Sequence, residues 1–349
     1  MQEAAGASKG ELGLAFLFVA AGSVPAMLLT GRELDRRGTW ILPWILVALA
    51  AAAILPAFAG SVAALAAALL AIGIAAGSTD VAMNAAVSEL EADRDTRLMQ
   101  LAHALYSGGV LAGALAVGLA RELGASRLGI LAGISLALLA AAALNLRQAP
   151  PRRTPAARPR LGLHRAAVPL GILCGLAFVI EGGMENWGAV FLERDLGSGP
   201  GVAALAPAAY GGAMMLGRLS AHRLERRLGD ATLLSGAAAV ALAGLVGAAL
   251  APNAAVAVAA FFVGGAGISV AAPALFGAGG RNASPEERGS AIATVTTLGY
   301  LGFLVGPPVV GGLAEAGGLR TAFAGLALLA AALVVAASRP RWWSPPRAG

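Results

Sequence analysis

Two pairs of polar side chains stand where the surrounding sequence is almost wholly apolar. Asp80 and Asn84 fall in Gly77-Ser-Thr-Asp-Val-Ala-Met-Asn84, and Glu181 and Glu185 in Glu181-Gly-Gly-Met-Glu-Asn-Trp187. Each pair is spaced i,i+4, which puts both members on one face of a helix. A charge at the centre of a bilayer costs about 2.5–3.5 kcal/mol on insertion scales, so such a residue is kept for a reason. An acid beside an amide in a wet cavity binds a polar solute or carries a proton. The alternative for Asp80 is a helix–helix polar contact or a place at the cytoplasmic end of its span. Two acids this close in a low dielectric favour a proton-bound form, which points to proton coupling through Glu181 and Glu185. Gly182-Gly183 is expected to weaken the helix between them, giving a broken, solute-binding or gating element. Trp187 belongs to that element or anchors the helix at the membrane interface. His103 is a proton-relay candidate whose alternative is a satisfied structural group. No His/Asp/Glu cluster has metal-ligand spacing, Cys174 is the single cysteine, and no nucleophile–base pair appears. Neither a metal, a cofactor nor an enzymatic activity is expected.

The elements that must position these residues are membrane helices. Hydrophobic residues make up 58% of the 349 and charged residues 13%, too few charges to cover a water-soluble protein of this size. A crossing needs about 20 apolar residues. Eleven such spans are read at 12–30, 41–59, 61–86, 98–120, 128–146, 166–192, 201–217, 231–251, 254–278, 290–314 and 321–337. The breaks at Gly60 and at Pro252-Asn253 keep each apolar run to one crossing. Alternate loops and the tail hold 20 basic residues and the opposite side five, which places the C-terminus in the cytoplasm. The basic excess, a formal +6, sits in short loops between spans and is no nucleic-acid signal. The partners it implies are lipid, a solute and protons. Residues 147–165 carry four prolines and six arginines and read as an extended, solvated linker. The linker separates an N-terminal bundle of five helices at 1–146 from a C-terminal bundle of six at 166–338, with a cytoplasmic tail at 339–349. In the span at 290–314, Gly306, Pro307 and Pro308 are expected to kink or unwind the helix, because two backbone donors are missing.

One phrase recurs. Gly31-Arg-Glu-Leu-Asp-Arg-Arg-Gly38 is echoed by Gly217-Arg218 and Leu224-Glu-Arg-Arg-Leu-Gly229, with the acid-Arg-Arg cores 190 residues apart. Repetition at that distance marks a duplicated helical bundle. Gly31, Arg32, Asp35, Arg36 and Gly38 in the first copy, and Gly217, Arg218, Glu225 and Arg226 in the second, are candidate gating residues. Gly31 would allow close helix approach, and Asp35 would pair with an arginine or cap a helix. Their alternative is to set topology alone.

The first copy fits Gly-x-x-x-Asp-Arg-x-Gly and so resembles the loop signature of the major facilitator superfamily. Span number, repeat and central linker resemble that family over essentially the whole chain. Thr39 and Trp40 depart from it where further basic residues are usual. Asp80-Val-Ala-Met-Asn84 with Glu181 and Glu-Asn-Trp187 looks like the fucose-permease-like branch. The resemblance implies an all-α membrane fold of two pseudo-symmetric bundles with twelve helices. Eleven are seen, so a helix preceding residue 1 is expected to be absent. It also implies secondary active transport of a small polar, sugar-like solute by alternating access, coupled to protons, by a monomer in a bacterial inner membrane. By analogy Asp80 stands where those symporters place a cavity acid. Proton-driven efflux of amphipathic compounds, or a non-transporting receptor or assembly protein on the same fold, are the competing functions.

Overall fold

A computed structural model of the protein describes residues 6–94, 98–146, 164–225, 228–283 and 288–339. The described residues form helices joined by short turns. In chain order these are α1 (Lys9–Arg37), α2 (Leu42–Ala53), α3 (Val62–Arg94), α4 (Met99–Glu122), α5 (Arg127–Leu146), α6 (Val168–Val190), the single turn α7 (Pro200–Ala203), α8 (Leu205–Glu225), α9 (Asp230–Leu250), α10 (Ala254–Ile268), α11 (Ala271–Arg281) and α12 (Arg288–Ala337). Their packing divides the chain into two compact units. One holds Met1–Ala102 and Leu123–Ala157, and the other His103–Glu122 and Arg158–Gly349. Most of α4 therefore belongs with the second unit, although α3 and α5 flank it in sequence.

Ten segments among the described residues are long and apolar enough to cross a membrane. Large apolar side chains such as Leu28, Leu136 and Leu328 point outward at 66–73% exposure, a surface that lipid solvates and water does not. Local chemistry starts and stops the helices where the sequence shows breaks. Ser8 caps α1 through a reciprocal box with Glu11. Asn253 accepts the Val256 N–H at 3.1 Å and opens α10 just after Pro252. Gly60 lies in the turn between the 3-10 segment Leu55–Phe58 and α3.

In the first unit α1 packs on α3 through small residues. A side chain at Gly73 would run into the Val19 backbone, and one at Gly77 into Ser23, so the two helices are in close contact at these glycines. The Ser23 hydroxyl lies 2.9 Å from the Gly73 carbonyl, and Thr30 Oγ1 donates to Ser78 Oγ at 2.9 Å. Across α2 and α5, Ser135 Oγ donates to the Ala50 carbonyl at 2.8 Å. In the second unit α6 lies along α12, with Gly302 against the Gly175 backbone. Phe191, Phe261 and Phe323 are fully buried there, the outer two rings edge-on to Phe323 at 5.2 and 5.3 Å. Arg320 donates to carbonyls at the end of α9, Ala249 at 3.0 Å and the capping residue Ala251 at 2.7 Å, where a cation complements the helix end.

The structure corrects three expectations. The phrase 31–38 is not a loop: α1 stays helical to Arg37, and the turn comes at Gly38, whose φ of 78° favours glycine. Gly31 is not a close-packing position, since a side chain there would meet nothing. Arg36 and Arg37 pair with Glu33, at 3.3 and 2.7 Å; the side chain of Asp35 lies outside the described residues. Nor does Gly182-Gly183 break its helix. α6 runs unbroken to Val190, and Phe191–Asp195 then form a π turn. Flanking contacts hold the glycines in place, with Gly183 against Leu326 and Val310.

α12 turns between the spans read at 290–314 and 321–337, as the sequence has it. Its non-helical dihedrals fall at Gly317 (φ −151°) and Gly318 (φ 80°), ten residues beyond Pro307-Pro308, which sit inside the helix. The glycine pair is the better breaker because Gly318 can take the left-handed conformation. Asp195 Oδ2 accepts the Leu319 N–H at 3.1 Å and starts the segment that follows. The linker at 147–163, residues 340–349 and Arg226 lie outside the described residues, as does the Glu225 side chain.

Candidate functional site

α6 carries Phe178, Glu181, Gly182, Glu185 and Asn186 at i, i+3, i+4, i+7 and i+8, one continuous helical stripe. Glu181 is buried, at 7% exposure. Its partner is Arg218 of α8, whose Nη2 stands 3.4 Å from Glu181 Oε1. The same guanidinium donates through Nη1 to Ser107 Oγ at 2.5 Å and to the His103 carbonyl at 3.3 Å. One side chain thereby joins α4, α6 and α8 inside the second unit. Arg218 was expected in a cytoplasmic loop as a gating or topology residue. It lies within a helix instead, its side chain only 11% exposed. Gly217 permits this, because a side chain there would collide with Ser269 between α10 and α11.

Glu185 is half-buried one turn beyond Glu181 and forms no ion pair among the described residues. Asn186 spends its amide N–H on the Gly182 carbonyl at 2.8 Å. Tyr210 of α8, 2% exposed, stands among Glu181, Glu185 and Arg218.

Aromatic rings continue the stripe. Phe178 stacks on Phe303 of α12 with centroids 4.4 Å apart and planes inclined by 26°. Tyr300 lies 5.9 Å and Phe276 of α11 6.5 Å from the same ring. Phe178 is buried, whereas Phe276, Tyr300 and Phe303 are partly exposed, so the wall has an open side. Phe303 also reaches α6 at Gly182, beside Glu181. Acid pair, guanidinium and aromatic wall thus form one patch.

The other expected residues are distributed differently. Asp80 and Asn84 belong to the first unit, with Asn84 Nδ2 donating to Asp80 Oδ1 at 3.2 Å as the i,i+4 spacing requires. Trp187 is fully buried, so it is no interfacial anchor. His103 meets Arg218 through its main-chain carbonyl. Five participants escaped the sequence reading. Ser107 and Tyr210 sit among small apolar residues that give no periodic signal. Phe178, Tyr300 and Phe303 went unread as well, although Phe178 shares the stripe of Glu181. A further feature missed was Arg121, which forms a bidentate pair with Glu193 at 2.7 and 2.8 Å, while Glu122 accepts the Gly201 N–H at 2.9 Å.

Known proteins place this architecture. The model of the Major Facilitator Superfamily matches residues 1–283 and 187–348. An uncharacterised transporter of that type from Yersinia pestis is 34% identical over 339 residues, 95% of this chain and 87% of the relative. Membrane protein MosC of Rhizobium meliloti is 29% identical over 344 residues, 93% of this chain and 80% of its own. Among solved structures, a mutant of the nucleoside transporter NupG superposes with a TM-score of 0.78 at 15% identity, covering 97% of this chain and 92% of that one. A variant of the E. coli fucose:proton symporter FucP gives 0.61 at 19% identity, with 95% and 90% covered. These two likenesses are of fold. The family match and the relatives' names make this chain a membrane transporter, not an enzyme, and it belongs to the major facilitator superfamily.

Proposed function

We propose that this protein is a secondary active transporter that carries a small polar solute across a bacterial inner membrane by alternating access, coupled to protons. The carrying observation is the buried Glu181–Arg218 pair, with Ser107 and the His103 carbonyl completing the guanidinium's bonds. A proton on Glu181 cancels its attraction for Arg218, and the arginine must then exchange partners or move. Such a pair is a two-state element between three helices, which is what coupling of a proton to a conformational change requires. Asp80 and Asn84 supply a second polar pair in the first unit, placed as the fucose-permease-like branch would place its cavity acid. The protein works as a monomer. The bundles at 1–146 and 166–338 rock against each other, with the C-terminus in the cytoplasm. Arg32, Asp35, Arg36, Gly38 and Gly217 serve the gate.

Efflux of amphipathic compounds is the second reading, and the partly exposed rings of Tyr300, Phe303 and Phe276 favour it. Uptake by the protein in liposomes, with and without a pH gradient, tests coupling. Replacing Glu181→Gln is expected to abolish the pH dependence of uptake while leaving binding. Unchanged pH dependence removes Glu181 from the coupling.

A further inference from the structure

The charges on the α6 stripe do not balance. Glu181 and Glu185 bring two carboxylates, and Arg218 brings one guanidinium. Glu181 and Arg218 are the charged groups that act on Glu185. Arg218 is already committed to Glu181, Ser107 and the His103 carbonyl, so it does not neutralise Glu185 as well. One carboxyl, that of Glu185, remains without a cation of its own beside the partly exposed rings. The rings around the buried Phe178 are a further feature: Phe276, Tyr300 and Phe303 are each partly exposed.

We infer that this patch binds an organic cation, a ring-bearing solute with a positively charged nitrogen. The nitrogen sits against Glu185 and the side-chain oxygen of Asn186, and the carbon skeleton lies on Phe303 and Tyr300. Ring faces attract an ammonium group when it lies within about 6 Å of the centroid, and a nearby carboxylate supplies the remaining charge. A neutral sugar would leave the Glu185 charge uncompensated. An anion would face that charge while the one cation nearby is engaged. The inference deepens the transport function and rests on it. It also implies that a proton and the solute compensate the same charge in turn.

The test uses the full-length purified protein in detergent and benzyltrimethylammonium as probe, a ring with a permanent positive charge. Benzyl alcohol and benzoate are its neutral and anionic counterparts. Binding is read by fluorescence of Trp187, two residues from Glu185, and by calorimetry. Saturable binding of the cation is expected, with at least tenfold weaker binding of both counterparts. Glu185→Gln is expected to weaken the cation at least tenfold, Glu185→Asp to restore part of it, and Phe303→Leu to weaken it severalfold. Size-exclusion profiles of each variant establish that it folds. Equal binding of benzyl alcohol, or cation binding indifferent to both Glu185→Gln and Phe303→Leu, overturns the assignment. The same preparations in liposomes separate the two readings. Cation binding without any solute flux refutes transport and leaves the site standing. Uptake of neutral polyols with no cation binding refutes the site and leaves transport intact.

Discussion

Removing Arg218 isolates the energetics of the second unit's polar centre. At an N–O separation of 3.4 Å, and with an effective dielectric of 20, the gross attraction between Glu181 and Arg218 is about 5 kcal/mol. Desolvation offsets much of that in the intact pair. It does not do so once the arginine is gone, because a carboxylate at 10% exposure is left without its cation. Ser107, 2% exposed, loses its guanidinium at the same time. Arg218→Ala is therefore expected to destabilise the protein by about 3–5 kcal/mol, the range for breaking one side of a buried pair. Glu181→Gln in the Arg218→Ala background removes the stranded charge and should recover at least about 1 kcal/mol, which a double-mutant cycle reads as coupling. The assay is unfolding of purified protein in mixed micelles, followed by circular dichroism for all four variants. An Arg218→Ala variant within about 0.5 kcal/mol of the parent, the scale of an ordinary surface change, would falsify the claim that the pair is desolvated.

Two further outcomes follow from the same contacts. Gly73→Ala should lower the yield of folded protein severely, since its new carbon meets the Val19 backbone, while Gly31→Ala should melt within about 0.5 kcal/mol of the parent; thermal melts of the two side by side check the contrast. Glu193→Gln should cost no more than about 1 kcal/mol, because Arg121 and Glu193 are partly exposed and water screens them, and raising the salt should shrink the difference in Tm.

The helices themselves were legible in the sequence, for a simple reason. Lipid demands about 20 apolar residues per crossing and satisfied backbone groups throughout, so composition alone marks each span. Breaks were legible where a cap or turn chemistry is local, as at Gly60 and Asn253. They were not legible where tertiary contacts override propensity. Gly182-Gly183 looks like a weak point on its own but is continuous helix against Leu326 and Val310. Pro307-Pro308 looks like a place to unwind but lies inside the helix, and the chain turns between the two spans at Gly317-Gly318, where Asp195 receives the Leu319 N–H.

The candidate site divides along the same line. That Glu181 and Glu185 share a face, and Asp80 and Asn84 another, follows from 3.6 residues per turn and needs no partner helix. Arg218 could not be assigned that way. Alone in the chain it reads as one more basic residue at a helix end. Only the close approach that Gly217 allows beside Ser269, and the meeting of α4, α6 and α8, show it to be the buried partner of an acid 37 positions earlier. The same holds for Tyr210, Phe178 and Phe303, whose proximity is long-range in the chain and therefore invisible to any local period. The sequence by itself determined that this chain lives in lipid and that a few acids lie within its spans. Tertiary structure alone decided which cation and which rings each acid meets, because pairing between helices depends on which small residues let backbones come close.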